Sequence, residues 1–185
     1  MKKKILIPFT IILFLLTFNI ACVPLGGGSG SEGPSPRLLT EADENIEVYF
    51  APAQDIHQHI IDRYDHAQKF IHVAIYSLTK NEFADALIRA HQRGVEVKIL
   101  IDKAQAGKTN EDERLEAAGI KVWRSKGSRL MHNKISIIDG SIVITGSYNY
   151  TKNASKNDEN YVIIKDKEIG ELFENRFQIL LLKHR

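Results

Sequence analysis

Beyond Cys22 the chain contains no cysteine. The part that folds after that position can therefore hold neither a disulfide nor a cysteine-based zinc site. A marked net charge is also missing, since 25 lysines and arginines stand against 23 aspartates and glutamates. Setting aside Lys2, Lys3 and Lys4 leaves 22 against 23, a balance of −1, so bulk charge does not announce a nucleic-acid partner. No internal repeat is present, so any motif the chain carries occurs once. Residues 44–185 suffice for one domain with one core and are too few for two.

What is there begins with MKKKILIPFTIILFLLTFNIAC. Three lysines, an apolar run from Ile5 to Ile20 and then Ala21-Cys22 read as an export signal over residues 1–22, short for a span of about 20 residues. Cys22 resembles a bacterial lipoprotein cleavage and lipidation site. Asn19 departs from the aliphatic residue usual three positions earlier, which keeps ordinary cleavage and a retained anchor as alternatives. The Gly/Ser/Pro-rich stretch from Gly26 to Arg37 lies within a flexible linker, 23–44, that would let a domain at 45–185 reach away from a membrane. The expected location is thus outside the cytoplasm, periplasmic or at the cell surface.

The chain's most informative run is HNKISIIDGSIVITGSYN, His132 to Asn149. ISII and SIVIT are β-branched strand formers, and Asp139-Gly140 between them is a two-residue hairpin signal. That turn predicts pairing of 138 with 141, 136 with 143, 134 with 145 and 132 with 147. His132, Lys134, Thr145 and Ser147 would then share one face, and Ile135, Ile137, Ile142 and Ile144 the other. A base, a cation, a hydroxyl and the Asn149 amide would converge at the open end, where a phosphate fits. Asp139, about 20 Å away at strand rise, reads as a turn and strand-end residue rather than an acid catalyst.

Around this run the pattern alternates. IEVYFAP reads as a strand, followed by a helix from about Pro52 to Gln68 with Ile56, Ile60, Tyr64 and Ala67 on one face. Lys69 to Leu78 is a second strand. Thr79 and Glu82 suggest a capping box, with Phe83, Ala86, Leu87 and Ala90 as the apolar stripe and Gly94 as the stop. VEVKILID has the near-continuous apolar character of a strand covered on both faces. A short helix capped by Asn110 and Glu113 precedes strand IKVW. ENYVIIKD is the last strand, and a helix from Lys167 carries Ile169, Leu172, Phe173, Phe177, Leu180 and Leu181. The expected fold is α/β, a mixed sheet flanked by helices on both faces. From Lys121 to Lys156, seven basic residues (Lys121, Arg124, Lys126, Arg129, Lys134, Lys152, Lys156) face only Asp139, so positive charge gathers around the run.

His132-x-Lys134, Asp139 and Gly146-Ser147-x-Asn149 together resemble the HKD signature of the phospholipase D superfamily. AIYSLT, LIDKAQ and NDENYVII extend the likeness, which is greatest to the small exported bacterial endonucleases with one motif per chain. The resemblance implies that His132 attacks phosphorus to form a phosphohistidine, without metal or other cofactor. A second, protonated imidazole must meanwhile protonate the leaving oxygen, and one histidine cannot do both at once. A single motif therefore implies a homodimer with a shared active site. Lys134, Ser147 and Asn149 are the implied phosphate-binding groups, Asp139 and Gly146 the structural members. Glu159 is the candidate to hold the other ring nitrogen of His132.

His57, His59, His66, His91 and His184 read as solvated surface, His72 as buried and hydrogen-bonded, and Trp123 with the aromatic stripe of the last helix as core or dimer contact. The expected activity is a sequence-nonspecific endonuclease on DNA, with RNA as a further substrate. Phospholipase D or cardiolipin-type hydrolysis is the alternative, with only Leu130 and Met131 as large apolar groups at the rim to engage a bilayer. A noncatalytic nucleic-acid-binding lipoprotein would tolerate a degraded motif, and this one is intact.

Overall fold

The computed structural model describes residues 44–52, 56–107 and 109–184. The leader, Cys22 and nearly all of the linker lie outside the described residues. Among the described residues seven strands and four α-helices follow in the order β1 (Ile46–Ala51), α1 (Ile56–His66), β2 (Phe70–Ile75), α2 (Asn81–Gln92), β3 (Glu96–Ile101), α3 (Asp112–Ala117), β4 (Lys121–Arg124), β5 (Lys134–Ile138), β6 (Ile142–Gly146), β7 (Glu159–Lys165) and α4 (Lys167–Lys183), with a single 3-10 turn, Ala154–Lys156, between β6 and β7. One sheet holds all seven strands in the order β1-β7-β6-β5-β2-β3-β4. β2, β3 and β4 run parallel, joined by α2 and α3, and the remaining neighbours pair antiparallel.

Helices cover both faces, as expected. Ile56, Ile60 and Tyr64 of α1 and Phe83, Ala86, Leu87 and Ala90 of α2 close one face together with Ile71, Val73, Ile99, Ile138 and Ile144. Phe177, Leu180 and Leu181 of α4 close the other over Ala74, Leu100, Ile135 and Ile137, with Trp123 and Phe173 at the margin. Asp166 caps α4, its carboxylate accepting from Ile169 N at 2.8 Å.

The hairpin register differs by one residue from the expected one. Asp139 and Gly140 both take positive φ, 54° and 75°, and Ser141 N donates to Ile138 O at 3.2 Å, as a tight turn requires. Ile138 nevertheless pairs with Ile142, Ser136 with Ile144 and Ile135 with Thr145, leaving Ser141 as an extra residue. Parity therefore flips. Lys134 and Ser136 share the α1/α2 face with Ile138, Ile142 and Ile144, while Thr145 shares the α4 face with Ile135 and Ile137. All five residues of β5 are buried, so neither face of the hairpin is open along its length, and only Lys134, at the first position of the strand, reaches His132. Strands apolar on both faces contain no alternation to fix register, which is why pattern alone misplaced it.

Two expected caps also do not form. Lys80 begins α2 without a side-chain cap, and the N–H groups of Thr79 and Lys80 donate to Tyr150 O at 2.9 and 3.1 Å. Asn110 accepts from Leu78 N at 2.8 Å and donates to Gln105 O instead of capping α3.

Candidate active site

β5 enters the sheet from a segment fixed on either side of His132. Met131 is buried against the α4 cluster, and Asn133 O accepts from Tyr76 N at 2.9 Å just beyond β2. His132 itself is exposed, its ring 4.5 Å from that of Tyr76 and inclined by 52°. Lys134, 8% exposed, points its Nζ to within 3.1 Å of His132 Nδ1 and 3.3 Å of Nε2, and donates to His132 O at 3.1 Å. The ammonium can donate to only one of the two ring nitrogens, the one that carries no proton, and attack on phosphorus by that nitrogen requires the bond to be released to the phosphate. Burial holds the Lys134 pKa below its usual value, against the opposing pull of the Glu159 charge. The Tyr76 ring lies 5.1 Å from the same ammonium.

The GSxN element continues from the end of β6. Gly146 is required by close approach, because a Cβ there would collide with the backbone of Asn160 and Tyr161. Ser147 N donates to Asn160 O at 2.9 Å, and its hydroxyl accepts from Asn160 N at 3.1 Å while donating to the Glu159 carboxylate. Glu159 also accepts from Asn157 Nδ2 at 3.2 Å. The expected bond from Glu159 to His132 is not formed within the chain. Glu159 instead grips Ser147 and acts on Lys134 through its charge. Ser147 likewise does not lie beside His132 as a cross-strand partner, because the register shift displaces it.

Asn149 stands apart. Among the described residues its Oδ1 is the one buried side-chain polar atom without a hydrogen-bond partner. An acceptor of this kind is complete only when a donor arrives from outside the chain.

Asp139 sits at the opposite end of the hairpin, as expected for a strand-end residue. Its carboxylate accepts from the N–H groups of Gln68, Lys69 and Phe70 at 2.9, 2.7 and 3.1 Å. A cleft of about 570 Å³ at this turn end is lined by Phe70, Asp139, Glu171 and Glu174 and lies away from His132. A smaller groove of about 400 Å³ runs beside the site, lined by Phe50, Ala51, Ser147, Asp158, Glu159 and Asn160.

The basic cluster is thinner than composition suggests. Arg124 is consumed by ion pairs with Asp112 at 2.7 Å and Glu116 at 2.8 Å. Lys126, Arg129, Lys152 and Lys156 are exposed on the two flanking segments. Of the other histidines, His72 is buried as expected, its ring between Glu174 at 2.8 Å and Glu96 at 3.1 Å. His184 departs from expectation. It is 4% exposed, and its Nδ1 accepts from Lys126 N at 2.9 Å because the last turn of α4 closes over the loop. Sequence reasoning missed Tyr76 and Gln105, whose Nε2 donates to the Tyr76 hydroxyl at 3.1 Å. Their only signal was membership of the AIYSLT and LIDKAQ stretches.

A family model described as cardiolipin synthase, PLD-like domain, matches residues 60–181. A phospholipase D of Rickettsia felis is 36% identical over 130 residues, covering 69% of this chain and 65% of its own length. A mitochondrial cardiolipin hydrolase of Chlamydomonas reinhardtii is 30% identical over 122 residues, 65% of this chain and 55% of that protein. The match thus spans 65% or less of these curated relatives' own length. Among solved structures, the phospholipase D family member Nuc from Salmonella typhimurium aligns with a TM-score of 0.71 at 30% identity, over 76% of this chain and 95% of that one.

Proposed function

Because the chain belongs to the phospholipase D superfamily of phosphodiesterases, we propose that it is a nonspecific endonuclease that hydrolyses DNA, and RNA as a further substrate, without a metal. His132 attacks the phosphorus, forming an N–P bond as the P–O bond to the leaving oxygen breaks. The His132 of a second subunit gives that oxygen its proton. Water then attacks the phosphohistidine, its proton passing to that second histidine as the N–P bond breaks. Lys134 donates to the phosphoryl oxygens, the unpartnered Asn149 oxygen accepts from a proton-bearing group such as the attacking water, and Ser147, held by Glu159, borders them.

The observation that carries the nuclease reading is the rim. Burial of Met131 leaves Leu130, 60% exposed, as the large apolar group of a loop that also presents Lys126 and Arg129. One leucine on that loop is little with which to enter a bilayer, Phe50 across the groove being assigned below to the subunit contact, whereas exposed cations suit a phosphate backbone. Phospholipid hydrolysis is the second reading, favoured by the names of the relatives at 36% and 30% identity. Incubation of the purified chain in EDTA with plasmid DNA, single-stranded DNA and RNA, and separately with phosphatidylcholine and cardiolipin vesicles, decides between them, His132→Ala serving as control. Cleavage of nucleic acid is expected; cleavage of lipid alone overturns the nuclease reading.

A homodimer is part of this proposal, and an apolar face supports it. The ladder puts Phe50, Val48 and Ile46 of β1 and Val162 and Ile164 of β7 on the α4 side of the sheet, while α4 packs over β2, β5 and β6. Ile46 and Phe50 are 40% and 57% exposed, and Phe50 lines the same groove as Ser147 and Glu159. A second copy seated there would bring two open hairpin ends together. The export leader, lipidation of Cys22 and a membrane tether complete the proposal, placing the enzyme outside the cytoplasm.

A further inference from the structure

We propose that Asp102 is a positioning residue for the reaction, holding the backbone that carries His132. The proposal rests on the phosphodiesterase reading above. Asp102 follows the last residue of β3 and is 1% exposed. One carboxylate oxygen accepts from Met131 N at 2.7 Å and from Ser125 Oγ at 3.1 Å, and the other from Ala104 N at 2.9 Å. Ser125 Oγ in turn accepts from Lys103 N at 3.1 Å, and Ser125 N donates to Ile101 O at 2.9 Å. A buried carboxylate that accepts from two N–H groups and one hydroxyl, with no ion pair among the described residues, binds them strongly because no water competes.

Two of those donors bracket one loop. Ser125 opens it and Met131 closes it, so a single carboxylate joins its ends, while 126–130 stay exposed. Met131 immediately precedes His132. Its N–H bond to Asp102 and the Asn133 carbonyl bond to Tyr76 fix the backbone on each side of the nucleophile, leaving the imidazole as the exposed group between two anchored residues. The carboxylate thereby sets both the direction of attack and the course of the basic loop past it.

Three readouts on the full chain test the assignment. Asp102→Asn retains shape but turns an amide N–H₂ toward at least one of the donors. With bis(p-nitrophenyl) phosphate as probe, kcat is expected to fall about 10- to 100-fold with KM changing less than about threefold. Asp102→Glu is expected to recover part of the loss. Unchanged kcat in a folded Asp102→Asn protein overturns the proposal, as does an equal fall in both variants that tracks only the folded fraction. The third readout needs neither a variant nor activity: hydrogen exchange in the wild-type chain should show the Met131 amide protected like those of β3. Exchange at the rate of the loop amides 127–130 overturns the proposal even if Asp102→Asn fails to fold. If wild-type and His132→Ala chains cleave the probe equally while Met131 is protected, the phosphodiesterase reading fails and the backbone anchor stands.

Discussion

At the turn end of the β5–β6 hairpin the Asp139 carboxylate accepts from three backbone N–H groups; at the open end the Asn149 amide oxygen is buried and accepts from none among the described residues. Both residues belong to one 18-residue motif, yet the first is saturated by its own chain and the second is incomplete. A buried polar group without a partner costs about 1–3 kcal/mol, a cost that a donor from solvent or substrate would relieve. The saturated end holds the sheet together, tying the turn to the start of β2. The unsaturated end is the one we assign to substrate.

Substitutions at the two ends should separate activity from stability. The largest effect is expected from Lys134→Met, which removes the buried cation at the open end and lowers turnover about 10³-fold. Its stability should move the other way. The Lys134 pKa is depressed in the folded chain, so the charged form opposes folding most fully below the folded pKa, and that penalty is relieved as pH rises toward 10.5. Denaturant unfolding at neutral pH should therefore show Lys134→Met to be no less stable than wild type. Asn149→Ala comes next, with turnover down about 10- to 100-fold and no loss in unfolding free energy, since it deletes an unpaired group. A matching fall in stability would mean that the amide is completed within the chain.

Asp139→Ala reverses the signature. It should cost about 2–4 kcal/mol in denaturant unfolding while the folded fraction turns over substrate within about threefold of wild type. The smallest effect concerns the clamp on the basic loop. Burial, with Lys183 and Lys126 adding to it and Asp102 opposing, holds the His184 pKa below 6.5. Its Nδ1 accepts from Lys126 N only when unprotonated, so the contact contributes fully above about 6.5 and is lost as pH falls through the lower folded value. Amide exchange at Lys126 should quicken over that acid window, and His184→Ala should abolish the pH step.

The elements were legible because their signals are local. Strand runs, the Phe83–Ala90 stripe and the Gly94 stop lie within short windows, and the structure has a helix or strand for each; the run from His132 to Asn149 was read in the same way, and its hairpin forms. What was not legible depended on distant partners. ISII and IVITG are apolar on both faces, so no alternation could reveal that Ser141 is an extra residue and that Thr145 and Lys134 face opposite ways. Arg124 counted as free charge until α3 supplied Asp112 and Glu116. His184 read as surface because nothing in its own helix shows that the end of α4 meets Lys126 N. Tyr76 looked like one more strand residue, although its ring and backbone both serve the His132 segment.

The central claim is that the open end of this hairpin is half of an active site, completed by the same end of a second chain. It is tested most directly by isolating, through two different affinity tags, the heterodimer of wild type and His132→Ala and assaying it in EDTA on plasmid DNA. A shared site needs both imidazoles, and the predicted activity is that of the His132→Ala homodimer. Half or more of the wild-type rate would mean that each chain works alone and would contradict the account.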